Sequence, residues 1–112
     1  MTQPEKKVKN SIKKSVLDRF PGTWMYMPVQ TGYGQHGIPD FVCCVPVVIS
    51  QEMVGKRIGA FVGIEAKTET GKLSKMQSYQ INAIADASGV AVVIKGEVEI
   101  DKVISLIEES LS

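Results

Sequence analysis

Missing from this 112-residue chain is any apolar run of the roughly 18 residues that a membrane span needs. Its N-terminus is polar and lysine-rich rather than signal-like, so we expect a protein of the cytosol of its cell or host, with no membrane partner. Cysteine is scarce: only Cys43 and Cys44 occur, side by side in an apolar run. Neighbours on a strand point to opposite faces, which argues against a mutual disulfide or a zinc pair and for buried, reduced thiols. Internal repeats, low-complexity linkers and collagen-like, disordered or coiled-coil bias are also lacking. The expectation is one domain over residues 1–112, long enough to bury a core without disulfides or a structural metal.

Charge of one sign is not in excess overall, the net value being +1, but it is unevenly spread. Lys6, Lys7, Lys9, Lys13, Lys14 and Arg19 crowd the first segment, while Glu97, Glu99, Asp101, Glu108 and Glu109 crowd the last. The chain up to Lys95 is therefore basic on balance. Local basic patches rather than net charge bind phosphates, so a nucleic-acid partner stays open.

Thr2-Gln3-Pro4-Glu5 has the form of a helix start, with Thr2 as N-cap and Glu5 closing a capping box. Val8, Ile12, Val16, Leu17 and Phe20 recur at helical spacing until Pro21-Gly22. Thr23 to Val29 is an aromatic-rich strand. Within the loop Gln30 to Gly37, Gly32-Tyr33-Gly34-Gln35-His36-Gly37 matches the dinucleotide fingerprint by letter. That fingerprint must open a helix, and here Pro39 and a β-rich run follow, so no nucleotide cofactor is expected. The loop could instead touch a phosphate backbone through its amides and His36, the alternative for a lone polar-loop histidine being simple solvation.

Asp40 to Ile49 is continuously apolar, which predicts a strand buried on both faces, with Pro46 marking an edge or bulge. Gln51 to Ile58 is a polar turn and Gly59 to Lys67 the next strand. Ser74-x-x-Gln77 is a capping box that opens a helix through Ile81 and Ile84 to Gly89. Val90 to Ile94 is a short buried strand. Glu97 to Leu111 is a final amphipathic helix through Val98, Ile100, Val103, Ile104, Ile107 and Leu111. The order is α-β-β-β-α-β-α, an α/β chain.

Three ionisable residues, Asp40, Glu65 and Lys67, sit at the ends of apolar segments, a costly place for charge without a shared task. If the second and third strands form an antiparallel hairpin, the midpoint of Asp40 and Glu65 falls between Glu52 and Met53, inside the turn. The two carboxylates then lie side by side, and Lys67 shares a face with Glu65. Paired carboxylates repel unless a cation joins them. Oxygen donors without thiolate or imidazole favour Mg²⁺ or Mn²⁺, with the Ala66 carbonyl as a further donor. The competing reading is a surface ion pair of Lys67 with Glu65 or Asp40, worth about 0–1 kcal/mol.

Pro39-Asp40 followed by Glu65-Ala66-Lys67 is the signature of the PD-(D/E)XK nuclease superfamily. With Gly37-x-Pro39-Asp40, Gly71-Lys72-Leu73-Ser74-x-x-Gln77 and Gly89 before an apolar strand, the chain resembles the VRR-NUC family over nearly its whole length. These virus-type replication and repair nuclease domains occur alone in phages and bacteria and at the end of larger repair nucleases. The resemblance implies a restriction-endonuclease-like core with a mixed four-stranded sheet flanked by helices. It implies Mg²⁺- or Mn²⁺-dependent cleavage of branched DNA by a homodimer similar to four-way (Holliday) junction resolvases. Asp40 and Glu65 would be metal ligands and Lys67 the catalytic lysine. Glu5 would be the acid from the first helix, reaching the metal directly or through water, and Gln77 the family glutamine. Glu5 and Gln77 also fit capping boxes, so a purely capping role stays open for both. Lys6, Lys9, Lys13, His36, Lys72 and Lys75, with Lys56-Arg57, would line the DNA path, or else form a solvated face. The alternatives are a nuclease of the same superfamily acting on flap, linear or single-stranded DNA, and a non-catalytic DNA-binding module.

Overall fold

The computed structural model describes residues 3–29, 37, 39–99 and 101–112, with side chains described from residue 6 onward. Thr2, most of the glycine loop with His36, Ile38 and Ile100 lie outside the described residues, as does the side chain of Glu5. The chain divides into two compact units, Met1–Pro46 and Val47–Ser112.

The first unit opens with helix α1, Gln3–Arg19. Its end is closed by polar bonds: Phe20 N–H donates to Val16 O at 2.8 Å, and the Thr23 hydroxyl donates to Phe20 O at 2.7 Å. Pro21 cannot continue the ladder, as expected. The buried stripe is rotated from the expected one. Val8 and Ile12 are exposed, whereas Lys9, Val16, Leu17 and Phe20 are half-buried. Two short strands follow, β1 (Trp24–Tyr26) and β2 (Val42–Cys44). They pair antiparallel with Trp24 opposite Cys44 and Tyr26 opposite Val42. Trp24 and Tyr26, two apart on one strand, stack with ring centroids 6.3 Å apart.

The apolar run Phe41 to Ile49 does not stay in a sheet. Its strand ends at Cys44, two residues before Pro46, and Val47, Val48 and Ile49 are exposed, Val48 at 90%. Pro46 has no N–H to offer a ladder, and beyond it the run has no sheet surface to cover. Neither cysteine is in a disulfide; Cys44 is buried and Cys43 half-buried, on alternate faces of β2.

The first helical element of the second unit is a 3-10 turn at Gln51–Met53, at the start of the expected turn Gln51 to Ile58. Strand β3 (Val62–Lys67), helix α2 (Lys75–Asp86) and strand β4 (Val90–Lys95) then form a β-α-β crossover. The strands are parallel, with Val62 opposite Val90, Glu65 opposite Val93 and Lys67 opposite Lys95. Val90, Val92 and Ile94 are buried and the alternating Ala91 and Val93 half-buried, so both faces of β4 are covered. Ile84 and Ala87 of the α2 end complete this core. Gly63 lets α2 approach: a Cβ there would meet Ile84 Cδ1 at 3.0 Å.

Helix α2 ends in a Schellman arrangement, with Gly89 N–H donating to Ile84 O and Ser88 N–H to Ala85 O, both at 2.9 Å. The left-handed position is Ser88, at φ 70°, and not the glycine that follows it. After β4 the chain turns at Gly96, φ 71°, whose N–H donates to Lys67 O at 2.7 Å. A Cβ on Gly96 would collide with Glu69 Cγ. Glu97–Glu99 is a 3-10 turn, and helix α3 runs only over Lys102–Leu111. The late start corrects the expected one at Glu97. The carboxylate of Glu99 accepts from Lys95 N–H, which commits that segment to a turn. It also moves the buried stripe to Val103, Leu106 and Ile107, leaving Val98, Ile104 and Leu111 exposed.

The chain is thus α/β, in the expected order of elements, with three α-helices and two two-stranded sheets among the described residues. The expected single four-stranded sheet required a ladder between β2 and β3. Among the described residues the ladders pair β2 with β1 in the first unit and β3 with β4 in the second. No helix among the described residues is long and apolar enough to cross a membrane.

Candidate active site

The candidate residues fall into two groups, one in each unit. In the second unit, the period-two alternation of β3 places Glu65 and Lys67 on the face that Gly63 presents to α2. Lys67 Nζ lies 3.7 Å from Glu65 Oε1, and both side chains are mostly shielded, at 22% and 31% exposure. The exposed face of the strand holds Ile64 and Ala66.

Gln77 reaches the same carboxylate from α2. Its Nε2 donates to Glu65 Oε1 at 2.7 Å. At the same time its Oε1 accepts from Ser74 N–H at 2.9 Å, and its own N–H donates to the Ser74 hydroxyl at 3.1 Å. Gln77 therefore caps its helix and, through the other end of the same amide, also bonds Glu65. The two partners also fix which end is which, since only the NH₂ can donate to Glu65 and only the oxygen can accept from Ser74. A neutral donor at this place holds the carboxylate in one rotamer without cancelling its charge.

The expected contribution of Ala66 is its backbone carbonyl. In a parallel ladder alternate carbonyls point to opposite neighbours. The carbonyls of Phe61 and Lys67 accept from Val90 and Gly96 on the β4 side, at 2.9 and 2.7 Å. By that alternation Gly63 and Glu65 aim their carbonyls towards β4, and Ala66 aims its own away from it. Its oxygen is thus not committed to the β3–β4 ladder. Beside Glu65 and Gln77 runs a cleft of about 290 Å³ between β3 and α2, floored by Gly63, Ile81 and Ile84. Met76 and Gln80 also line it, residues that helical spacing could have placed there but that carry no motif.

In the first unit Asp40 follows Pro39 two residues before β2, with an exposed carboxylate. Its partner is Lys9 of α1, with Nζ 3.7 Å from Oδ1. This pairing was not legible in the sequence, where Lys9 was one of several lysines for a DNA path. The side chain of Glu5, one turn earlier on α1, lies outside the described residues, as does His36. Lys6, Lys13, Lys56, Arg57, Lys72 and Lys75 are exposed, as either a DNA-facing or a merely solvated lysine would be.

Asp40 belongs to the first unit and Glu65 to the second. Among the described residues no group of three His, Cys, Asp or Glu side chains is gathered for a metal. The expected set has two described carboxylates, a backbone carbonyl and Glu5, so it could not form such a group. Its chemistry nonetheless fits a hard divalent cation, since every donor is an oxygen. No family model matches the chain, and no match was found among curated proteins or solved structures.

Proposed function

We propose that the chain is a Mg²⁺- or Mn²⁺-dependent endonuclease with a PD-(D/E)XK core of the VRR-NUC kind, cutting branched DNA at four-way junctions. The observation that carries this reading is the meeting of Gln77, Glu65 and Lys67 across α2 and β3, bonded at 2.7 Å and paired at 3.7 Å. A surface ion pair alone has no use for a glutamine that reaches out of its own helix cap. On this reading Asp40 and Glu65, with the Ala66 carbonyl and Glu5, hold the cation. When bound, the cation supplies Lewis-acid stabilisation of charge growing on phosphorus and makes water nucleophilic near neutral pH. Gln77 keeps Glu65 in one orientation. Lys67, on the same strand face, neutralises developing negative charge or orients the attacking water. The full core of the proposal adds β2 to β3 in a mixed sheet.

A homodimer belongs to the same proposal. A four-way junction has two-fold symmetry, and paired cuts on it are met most simply by a C2 enzyme carrying one site per chain. The protein would then work in the cytosol of a bacterium or a phage-infected host. Purified protein should nick a synthetic four-way junction only when Mg²⁺ or Mn²⁺ is added. Asp40→Ala or Glu65→Ala should abolish nicking while junction binding persists. Cleavage that survives both substitutions would end this reading, and preference for flap or linear substrates in parallel reactions would move it to another nuclease of the superfamily.

A further inference from the structure

On the basis of that reading, we propose that Lys9 is the resident counter-cation of Asp40, occupying the carboxylate until a divalent cation displaces it. Lysines abound on α1, but Lys6, Lys7, Lys13 and Lys14 are exposed and Lys9 alone of the described ones is not, its side chain being 23% exposed. The rotated packing of α1 produces this. The inward stripe runs through Lys9, Val16, Leu17 and Phe20 while Val8 and Ile12 face out, so a lysine occupies a place that periodicity assigns to an apolar residue. A long apolar stem can be half-buried there only if its ammonium finds an anion or water. Asp40 supplies the anion, 3.7 Å away.

The contact is built to be given up. At 3.7 Å it is an ion pair without a hydrogen bond, and the Asp40 side chain is 57% exposed, open to an arriving cation. Glu65 shows the contrast. It has a lysine at the same 3.7 Å but is also fixed by Gln77, so its orientation does not depend on its ammonium. Among the described residues, Lys9 is the polar partner recorded for Asp40. Metal and Lys9 therefore compete for one carboxylate, and removing the ammonium should raise metal affinity rather than lower it. A lysine whose job is to touch DNA would behave otherwise.

The test is calorimetric titration of Mn²⁺ into the full chain, wild type against Lys9→Met, Lys9→Arg and Asp40→Asn, at fixed low ionic strength. Lys9→Met should bind Mn²⁺ about two- to fivefold more tightly, the range open to a partly exposed ion pair. Lys9→Arg, which keeps the charge, should bind as wild type does, and Asp40→Asn should lose most of the affinity. Lys9→Gln carries the same expectation as Lys9→Met if the latter fails to fold by circular dichroism. Unchanged or weaker Mn²⁺ binding in Lys9→Met and Lys9→Gln overturns the proposal and leaves the nuclease reading standing. So does a loss of junction affinity with unchanged Mn²⁺ affinity. Wild-type protein that binds no Mn²⁺ at all overturns the metal-dependent reading itself, and this proposal with it.

Discussion

Gln77 is tied at both ends of its amide, and the two ties can be measured separately. Gln77→Ala removes the acceptor for Ser74 N–H and the donor to Glu65 together. Ser74→Ala removes only the other half of the capping box, the acceptor for Gln77 N–H. Loss of a cap hydroxyl costs about 1 kcal/mol. A hydrogen bond to a charged group contributes about 1.5–3 kcal/mol when well shielded. Glu65 is 31% exposed, and alanine has the better helix propensity, so the lower end applies. Gln77→Ala should therefore cost about 2 kcal/mol, roughly 1 kcal/mol more than Ser74→Ala, or several degrees of Tm for a chain of this size. Gln77→Glu sharpens the separation. A glutamate at the third helical position still serves the capping box, but it turns an attractive contact with Glu65 into a carboxylate pair. Its stability should fall below that of Gln77→Ala near pH 7 and recover as the pH drops and the pair takes up a proton. Urea unfolding of the four proteins at pH 7 and pH 5 measures all of this. If Gln77→Ala and Ser74→Ala cost the same, and Gln77→Glu matches wild type at both pH values, the bond to Glu65 contributes nothing and the site argument built on it fails.

Three further outcomes follow from the described geometry. Ser88 holds the left-handed position of the α2 C-terminus at φ 70°, so Ser88→Gly should raise the unfolding free energy by up to about 1 kcal/mol, readable as an increase in urea midpoint. Burial pushes the Cys44 thiol up from its ordinary 9.0. Its folded value thus exceeds the unfolded one, so its contribution to stability is complete below pH 9 and is lost as pH rises through the folded value. Cys44→Ala should flatten that alkaline decline in unfolding measurements. In native iodoacetamide labelling read by mass spectrometry, Cys43 should be modified well before Cys44, and equal rates would contradict the burial.

What the sequence disclosed was what neighbours in sequence decide. Ser74 and Gln77 are three apart and their capping box is a local event, so it could be read directly. Glu65 and Lys67 share a face because a strand alternates. The break in extended structure after Ser50 followed from the polar residues of the segment and Gly55. Residues whose fate depends on distant packing were misjudged. Apolar periodicity marks a stripe on α1 but cannot say which flank of it the rest of the unit will cover, and Lys9 took the place given to Val8 and Ile12. An apolar run does not report that only its first part, Val42–Cys44, will join a ladder, nor a stretch such as Glu97–Glu99 that its carboxylate will cap a turn. The parallel pairing of β3 with β4 is a long-range event of this kind, and so is the rotamer that carries Gln77 to Glu65.

Gly96 bears on all of this from outside the site. Its positive φ turns the chain directly after Lys95, where the β3–β4 ladder ends at Lys67 and Lys95. A ladder with a fixed end has one register. A slip by a single residue would turn Glu65 and Lys67 to the opposite face and leave Gln77 reaching for Ala66 or Ile64. The glycine thus works as an index mark for the sheet, and the alignment of three candidate residues is set by a turn that touches none of their side chains.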